Sequence, residues 1–249
     1  MIFDTHCHLR YGGADAAAIV ARAAAAGVTQ LLDVGIDAAS STLARDTARA
    51  LTGVGWSAGL HPNDARRLAE EFPAIEALVR EGDCRAVGET GLDFYRDWTP
   101  PDQQERALLA HLELARRAGL PVILHCRDAF ARLFALLAPY APLRGVMHCF
   151  SGGPDEARTA LDLGLHLSFA GPLTYPKSDA LRAAARSAPL DRILVETDAP
   201  FLPPQGWRGQ KNEPAYLVAT VARLAAERGS SPDAIAAATT ANARALFAM

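Results

Sequence analysis

The 249-residue chain has little cysteine, no long apolar run and no excess of basic charge. Lys and Arg total 25 against 28 Asp and Glu, a formal charge of −3. No global positive field therefore advertises a polyanion partner, and any contact with nucleic acid must be local. No apolar run reaches the roughly 18 residues of a membrane span, so no membrane partner is expected. The opening MIFDTHCH has no basic region followed by an apolar stretch, and a cytoplasmic protein is the expectation. Cys7, Cys84, Cys126 and Cys149 form no C-x-x-C pair. That spacing excludes a disulfide framework and a structural zinc site, and free thiols fit a reducing compartment. No G-x-G-x-x-G turn follows the first β-rich run, which excludes the usual dinucleotide cofactor. A Gly/Ser/Pro linker is missing too, so residues 1–249 read as one domain.

What the chain does contain is alternation. Half its residues are apolar, enough for a sizeable core. Short β-rich runs lie at 2–6, 30–35, 54–59, 84–89, 121–125, 145–148, 165–170 and 192–196. Segments of helical period separate them at 14–26, 39–51, 70–80, 102–118, 128–138, 154–163 and 178–187, with two more at 213–228 and 232–247. Gly27, Gly119 and Gly164 sit where helix C-caps belong, and Asp128, Ser151 and Ser178 near helix starts. Parallel neighbours need a crossover of about a dozen residues, and eight such units in this length make an α/β fold of the (β/α)₈ TIM-barrel type. The Pro/Gly-rich segment 199–214 reads as one long loop after the last strand.

Metal-type side chains fall at the ends of these strands. His6 and His8 end the first, Glu89 the fourth, His125 the fifth and His148 the sixth, and Asp198 lies two residues beyond the eighth. In such a barrel these ends converge on the face where active sites are built. Four imidazoles and two carboxylates exceed what one ion takes from protein while keeping open positions for water. Two ions sharing a carboxylate is the natural arrangement. Alternation lets His6 and His8 chelate together while Cys7 faces the helices, and it assigns Cys126 and Cys149 to buried apolar roles. His111, in ERALLAHLELARR, reads as a surface or packing residue, and His166 as a packing or hydrogen-bonded one.

At these residues the sequence resembles the TatD family of metal-dependent deoxyribonucleases and related hydrolases. The matching segments are DTHCHL (4–9), GLHP (59–62), VGETGLDFYRD (87–97), LPVILHCRDA (120–129), MHCFSG (147–152), LSFAGPLTYPKSDALR (167–182), ILVETDAPFLPP (193–204) and RGQKNEP (208–214). They run in family order across nearly the whole chain. The resemblance implies that His6, His8 and Asp198 hold one divalent ion (Mg, Mn or Zn), that His125 and His148 hold a second, and that Glu89 bridges. It implies that His61 faces the substrate, while Asp93 and Arg127 order loops around the site. Arg10 stands where an acidic residue is frequent, Asn63 follows His-Pro where His is common, and the stretch after the first strand is short.

The expected chemistry is attack of a metal-activated water on a phosphodiester, with Asp198 taking the proton and His61 assisting at a phosphate oxygen or the leaving group. Arg96, Arg127, Arg208, Lys211 and Asn212 offer donors to phosphate. Phe94, Tyr95, Trp98 and Trp207 offer faces on which bases can stack. Local basic and aromatic groups on a weakly acidic chain suit a few nucleotides at a single-stranded end. The resemblance accordingly implies a 3′–5′ exodeoxyribonuclease; DNA repair, fragment disposal and RNA-end trimming stay open as its cellular task, and a monomer is favoured. A TatD-like ester or amide hydrolase, such as a D-aminoacyl-tRNA deacylase, is the alternative, and a scaffold with a vestigial site is disfavoured because all six ligand positions are filled.

Overall fold

The computed structural model describes residues 1–249. Eight parallel strands follow one another around a single sheet: β1 Ile2–Cys7, β2 Val28–Val34, β3 Val54–Ala58, β4 Ala86–Asp93, β5 Val122–Arg127, β6 Gly145–Met147, β7 His166–Phe169 and β8 Ile193–Val195. Helices α1 Ala16–Ala25, α2 Ala38–Ala50, α3 Leu68–Val79, α4 Pro101–Ala118, α5 Phe130–Leu137, α6 Pro154–Asp162 and α7 Asp179–Ser187 alternate with them. Helices α8 Leu217–Arg228 and α9 Pro232–Phe247 follow β8. The sheet closes where Cys7 bridges Ala199 and Thr5 Oγ1 donates to Val195 O at 3.0 Å. This is the barrel that the alternation predicted. No helix is long and apolar enough to cross a membrane.

Local chemistry explains most boundaries. Asp15, Asp37 and Ser231 accept backbone N–H groups from the first turns of α1, α2 and α9, each satisfying a donor that the helix start leaves free. Gly119 ends α4 in the left-handed region at φ 66°, where a side chain would cost energy. One boundary moved. β4 runs four residues past Glu89 to Asp93, paired with β5 down to Asp93 and Arg127. The β-rich run at 84–89 stops short of this end. A Cβ at Gly91 would collide with the His125 carbonyl, so glycine there permits close pairing rather than a turn.

Two apolar layers hold the barrel. The larger lies between strands and helices and takes in Cys7, Trp56, Leu92, Leu124 and Val195. The smaller joins Phe3, Leu32, Val34, Ala86, Ile123, Val146 and Leu194 to Ala243, Leu246 and Phe247 of α9. Arg85 and Arg144, just before β4 and β6, donate to the carbonyls of Ala248 and Leu246. Helix α9 therefore closes the end where the strands begin, leaving the opposite end for polar side chains.

Candidate metal centre

At the strand C-termini the two oxygens of Glu89 lie nearest different imidazoles, whose sets meet where His6 stacks on His148 with ring centroids 3.9 Å apart. Oε2 lies 3.3 Å from His6 Nε2 and 3.9 Å from His8 Nε2. Oε1 lies 2.8 Å from His148 Nε2, 2.9 Å from His125 Nδ1 and 3.5 Å from His61 Nε2. Asp198 Oδ1 closes the first side, 3.8 Å from His6 Nε2 and 3.6 Å from His8 Nε2. The six residues predicted as ligands are thus brought together, and His61 joins them on the His125 side, where ring centroids are 4.6 Å apart.

Second partners fix the imidazoles. His8 Nδ1 donates to Val34 O at 2.8 Å and His148 Nδ1 to Glu196 Oε1 at 3.2 Å, which points each Nε2 inward. His61 is held differently: its Nδ1 accepts from Asn63 N at 3.2 Å, so the neutral ring carries its proton on Nε2. His6 is fully buried, yet neither ring nitrogen has a hydrogen-bond partner, and His125 Nε2 has none either. Buried polar atoms are ordinarily paired. Nitrogens left over beside two carboxylates are what a cation site requires, and this N/O donor set fits divalent ions.

Charge follows the geometry. Burial would raise the Glu89 carboxyl, but His148, His61 and His6 around it hold it well below the usual range. Asp198 is also held low, against burial, by His8, His6 and His148. His8 rises to about 9, against burial, because Asp198 and Glu89 face it. His148 rises well above its ordinary value, burial being outweighed by Glu89 and Glu196. His61 falls to about 3 through burial. Backbone strain collects here as well: Asp198, Cys149 and Asp128 have φ of 57°, 43° and 54°, a region that non-glycine residues enter at a cost.

Two buried carboxylates carry functions that the strand-end pattern did not single out. Glu196 orients His148 and also accepts Cys149 N at 2.7 Å. Asp4 ties the barrel seam, accepting Thr197 N at 2.9 Å and Thr197 Oγ1 at 2.6 Å. A lone acid closing the apolar run ILV was the available signal for Glu196. Asp93 bonds the N–H groups of Tyr95 and Arg96, ordering their loop, and also lies 3.5 Å from His125 Nε2.

The rim departs from expectation at several points. Asn212 is buried, with its amide donating to Thr197 O and Phe201 O, so it staples the loop and has no hydrogen left for phosphate. Trp207 stacks on Tyr216 at 4.7 Å and serves as a packing anchor. Cys149 lies beyond the end of β6, where alternation no longer governs, and its thiol sits among Asp198, Glu196 and Glu89; burial and those charges push it well up, away from thiolate chemistry. His111 is no surface residue but fully buried, its Nδ1 donating to Ala107 O at 2.7 Å and its Nε2 accepting Leu60 N at 3.1 Å. His166 begins β7, away from the mouth. Arg10 reaches Thr47 Oγ1 of α2 at 2.6 Å. Arg127 lies over Tyr95 at 3.6 Å, Arg96 over Trp98 at 4.4 Å and Arg208 over Tyr175 at 4.5 Å, all beside the mouth. Lys211 lines a cavity that His8 borders.

Comparison with known proteins agrees with this architecture. The sequence profile described as "TatD related DNase" matches residues 3–248. A Citrobacter koseri protein named 3′-5′ ssDNA/RNA exonuclease TatD is 40% identical over 237 residues, 92% of this chain and 91% of that protein. The Bacillus subtilis "uncharacterized metal-dependent hydrolase YabD" is 34% identical over 99% of both chains. Among solved structures, the Escherichia coli TatD homologue YjjV superposes with a TM-score of 0.94 at 32% identity, covering 100% of this chain and 98% of that one.

Proposed function

We infer the function from one premise: the chain belongs to the family of TatD-related DNases. It is a metal-dependent hydrolase, and we propose that the substrate is the 3′ end of single-stranded DNA, with RNA ends a further possibility that the relatives' names raise. The observation that carries the reading is Glu89, one carboxylate whose two oxygens serve two sets of imidazoles. His6, His8 and Asp198 would hold one divalent ion, His125 and His148 a second, with Glu89 between them. Mg, Mn or Zn bound there supplies Lewis acidity and neutralises charge developing on phosphoryl oxygens.

The chain's own residues do the rest. Asp198, kept ionised by the imidazoles around it, accepts a proton from the attacking water. His61, neutral and protonated on Nε2, donates a hydrogen bond to a phosphate oxygen or the leaving group; the fixed tautomer suits a donor rather than a metal ligand. Glu196 holds His148 in its inward tautomer. Arg127, Arg96 and Arg208, each backed by an aromatic ring, and Lys211 meet phosphates around the mouth. Exposed Tyr95 and Trp98 offer stacking faces. Residues 1–249 work as one domain in this reading, as a monomer. The four free cysteines support action in the reducing cytoplasm, where trimming of damaged ends would serve DNA repair.

The test is digestion of a 5′-labelled single-stranded DNA oligonucleotide with Mg²⁺, Mn²⁺ or Zn²⁺, with His125→Ala and EDTA as controls. A ladder that shortens from the 3′ end and vanishes in both controls is expected. No cleavage by protein carrying two metals per chain would overturn the nuclease reading and direct the next assay to D-aminoacyl-tRNA.

A further inference from the structure

A cavity of about 290 Å³ opens beside His8, in the seam between α1 and the loop after β8. Its walls are His8, Leu9 and Tyr11 on one side, Asp15, Ile19 and Arg22 along α1, and Pro200, Lys211 and Glu213 from the loop. Ile19 and Arg22 share one face of α1 beyond its N-cap Asp15, so the cavity runs about 10 Å from that cap along the helix. Arg22 pairs with Glu213 at 2.7 Å across the seam. Tyr11 and Phe201 meet edge to face at 4.9 Å, and Phe201 lies 6.1 Å from the His8 ring, so aromatic surface adjoins the metal residues. The volume is at the lower limit of small-molecule sites, roughly 300 Å³, with room for one nucleoside and not for two.

Ring closure sets this cavity against a different surface. With strands in the order β1 to β8, the β8–β1 seam lies across the barrel from β4 and β5. The β4–β5 rim is open, and its Tyr95 and Trp98 are 62% and 56% exposed with Arg127 and Arg96 over them. Open aromatic surface suits the body of a strand, whereas a walled cavity of single-nucleoside size suits only an end.

We propose that the cavity between α1 and the loop 199–214 receives the terminal nucleoside 5′-monophosphate that hydrolysis releases when water adds to phosphorus and the P–O3′ bond to the shortened strand breaks, its base against Ile19 and Pro200 and Lys211 near its phosphate, while the remaining strand, with its new 3′-hydroxyl, lies over the β4–β5 rim. The inference rests on the exonuclease reading and adds to it the place of the leaving nucleotide. It makes the base of the last nucleotide, and not the next one, a determinant of rate.

The experiment compares three single-stranded oligonucleotides with Mn²⁺: one intact, one with an abasic 3′-terminal nucleotide and one abasic at the penultimate position. Wild-type protein is expected to release the abasic terminal residue about tenfold more slowly than a normal one, the size of one lost apolar base contact. First release from the penultimate-abasic strand is expected to stay within about threefold of normal. Ala18→Trp, which fills the cavity from α1, is expected to be slow on the intact end and to lose the discrimination. In EDTA, calorimetry with deoxyadenosine 5′-monophosphate is expected to show binding to wild type weakened about tenfold in that variant. Equal release of normal and abasic termini by wild type would overturn the proposal, and this arm uses no variant. Failure to degrade any of the three strands would instead overturn the exonuclease reading, and the inference with it.

Discussion

Inside the barrel, toward the start of the strands, Phe3, Ala86, Ile123, Val146 and Leu194 close on Phe247 and Leu246 of α9; at the other end five imidazoles surround Glu89 and Asp198. One end is assembled from burial, worth about 1.5–3 kcal/mol for each large apolar side chain. The other is assembled against it, from groups whose pairing is incomplete without a cation. Two buried histidines show the contrast within one residue type. His111 and His6 are equally inaccessible, but His111 spends both nitrogens on backbone groups and His6 spends neither. Burial alone does not mark a site; burial with the polar atoms left over does.

The sharpest way to separate the two ends is to damage each in turn. Glu89→Gln removes the charge that both imidazole sets face, and nuclease activity should fall by about 10³-fold or more, while denaturant unfolding of the metal-free protein still shows a cooperative fold. Phe247→Ala should do the reverse, costing about 3–5 kcal/mol of stability while the specific activity of the protein still folded stays near wild type. If the second variant lost activity ahead of structure, the two ends would be coupled and the contrast would fail.

The histidine contrast has its own sign in pH. Burial lowers His111 to about 4 from an ordinary 6.5, so below pH 6.5 the unfolded chain takes a proton that the folded chain refuses. Its contribution is complete above pH 6.5 and is lost as pH falls through 4, about 3 kcal/mol in all. Urea titrations from pH 7 to 4 should show that slope in wild type and its loss in His111→Gln. Smaller still is the expected effect of Glu196→Gln, which leaves all six proposed ligands in place but loosens His148; Mn²⁺ affinity should drop about 10- to 100-fold. An unchanged affinity would remove Glu196 from the site.

Most of the barrel was legible because its signals are periodic: every predicted strand and helix has its counterpart within a few residues. His6, His8, His125, His148 and Asp198 were legible because strand ends in a parallel barrel share one face. Glu89 was found for a partly mistaken reason, since β4 continues past it on glycines that usually break strands. Other features lay beyond one-dimensional reading. Asn212 looks like any loop donor until its two carbonyl partners are placed, Cys149 leaves the strand alternation one residue after β6 ends, and the cavity along α1 exists only because distant segments of chain meet there.

Whether Glu89 divides the pocket into two cation sites is decided by anomalous scattering from crystals equilibrated with Mn²⁺. Two peaks are expected, one against His6, His8 and Asp198 and one against His125 and His148, with Glu89 touching both and both weakened in Glu89→Gln crystals. A single peak away from Glu89, or two that persist undiminished in the variant, would show that Glu89 does not divide the pocket.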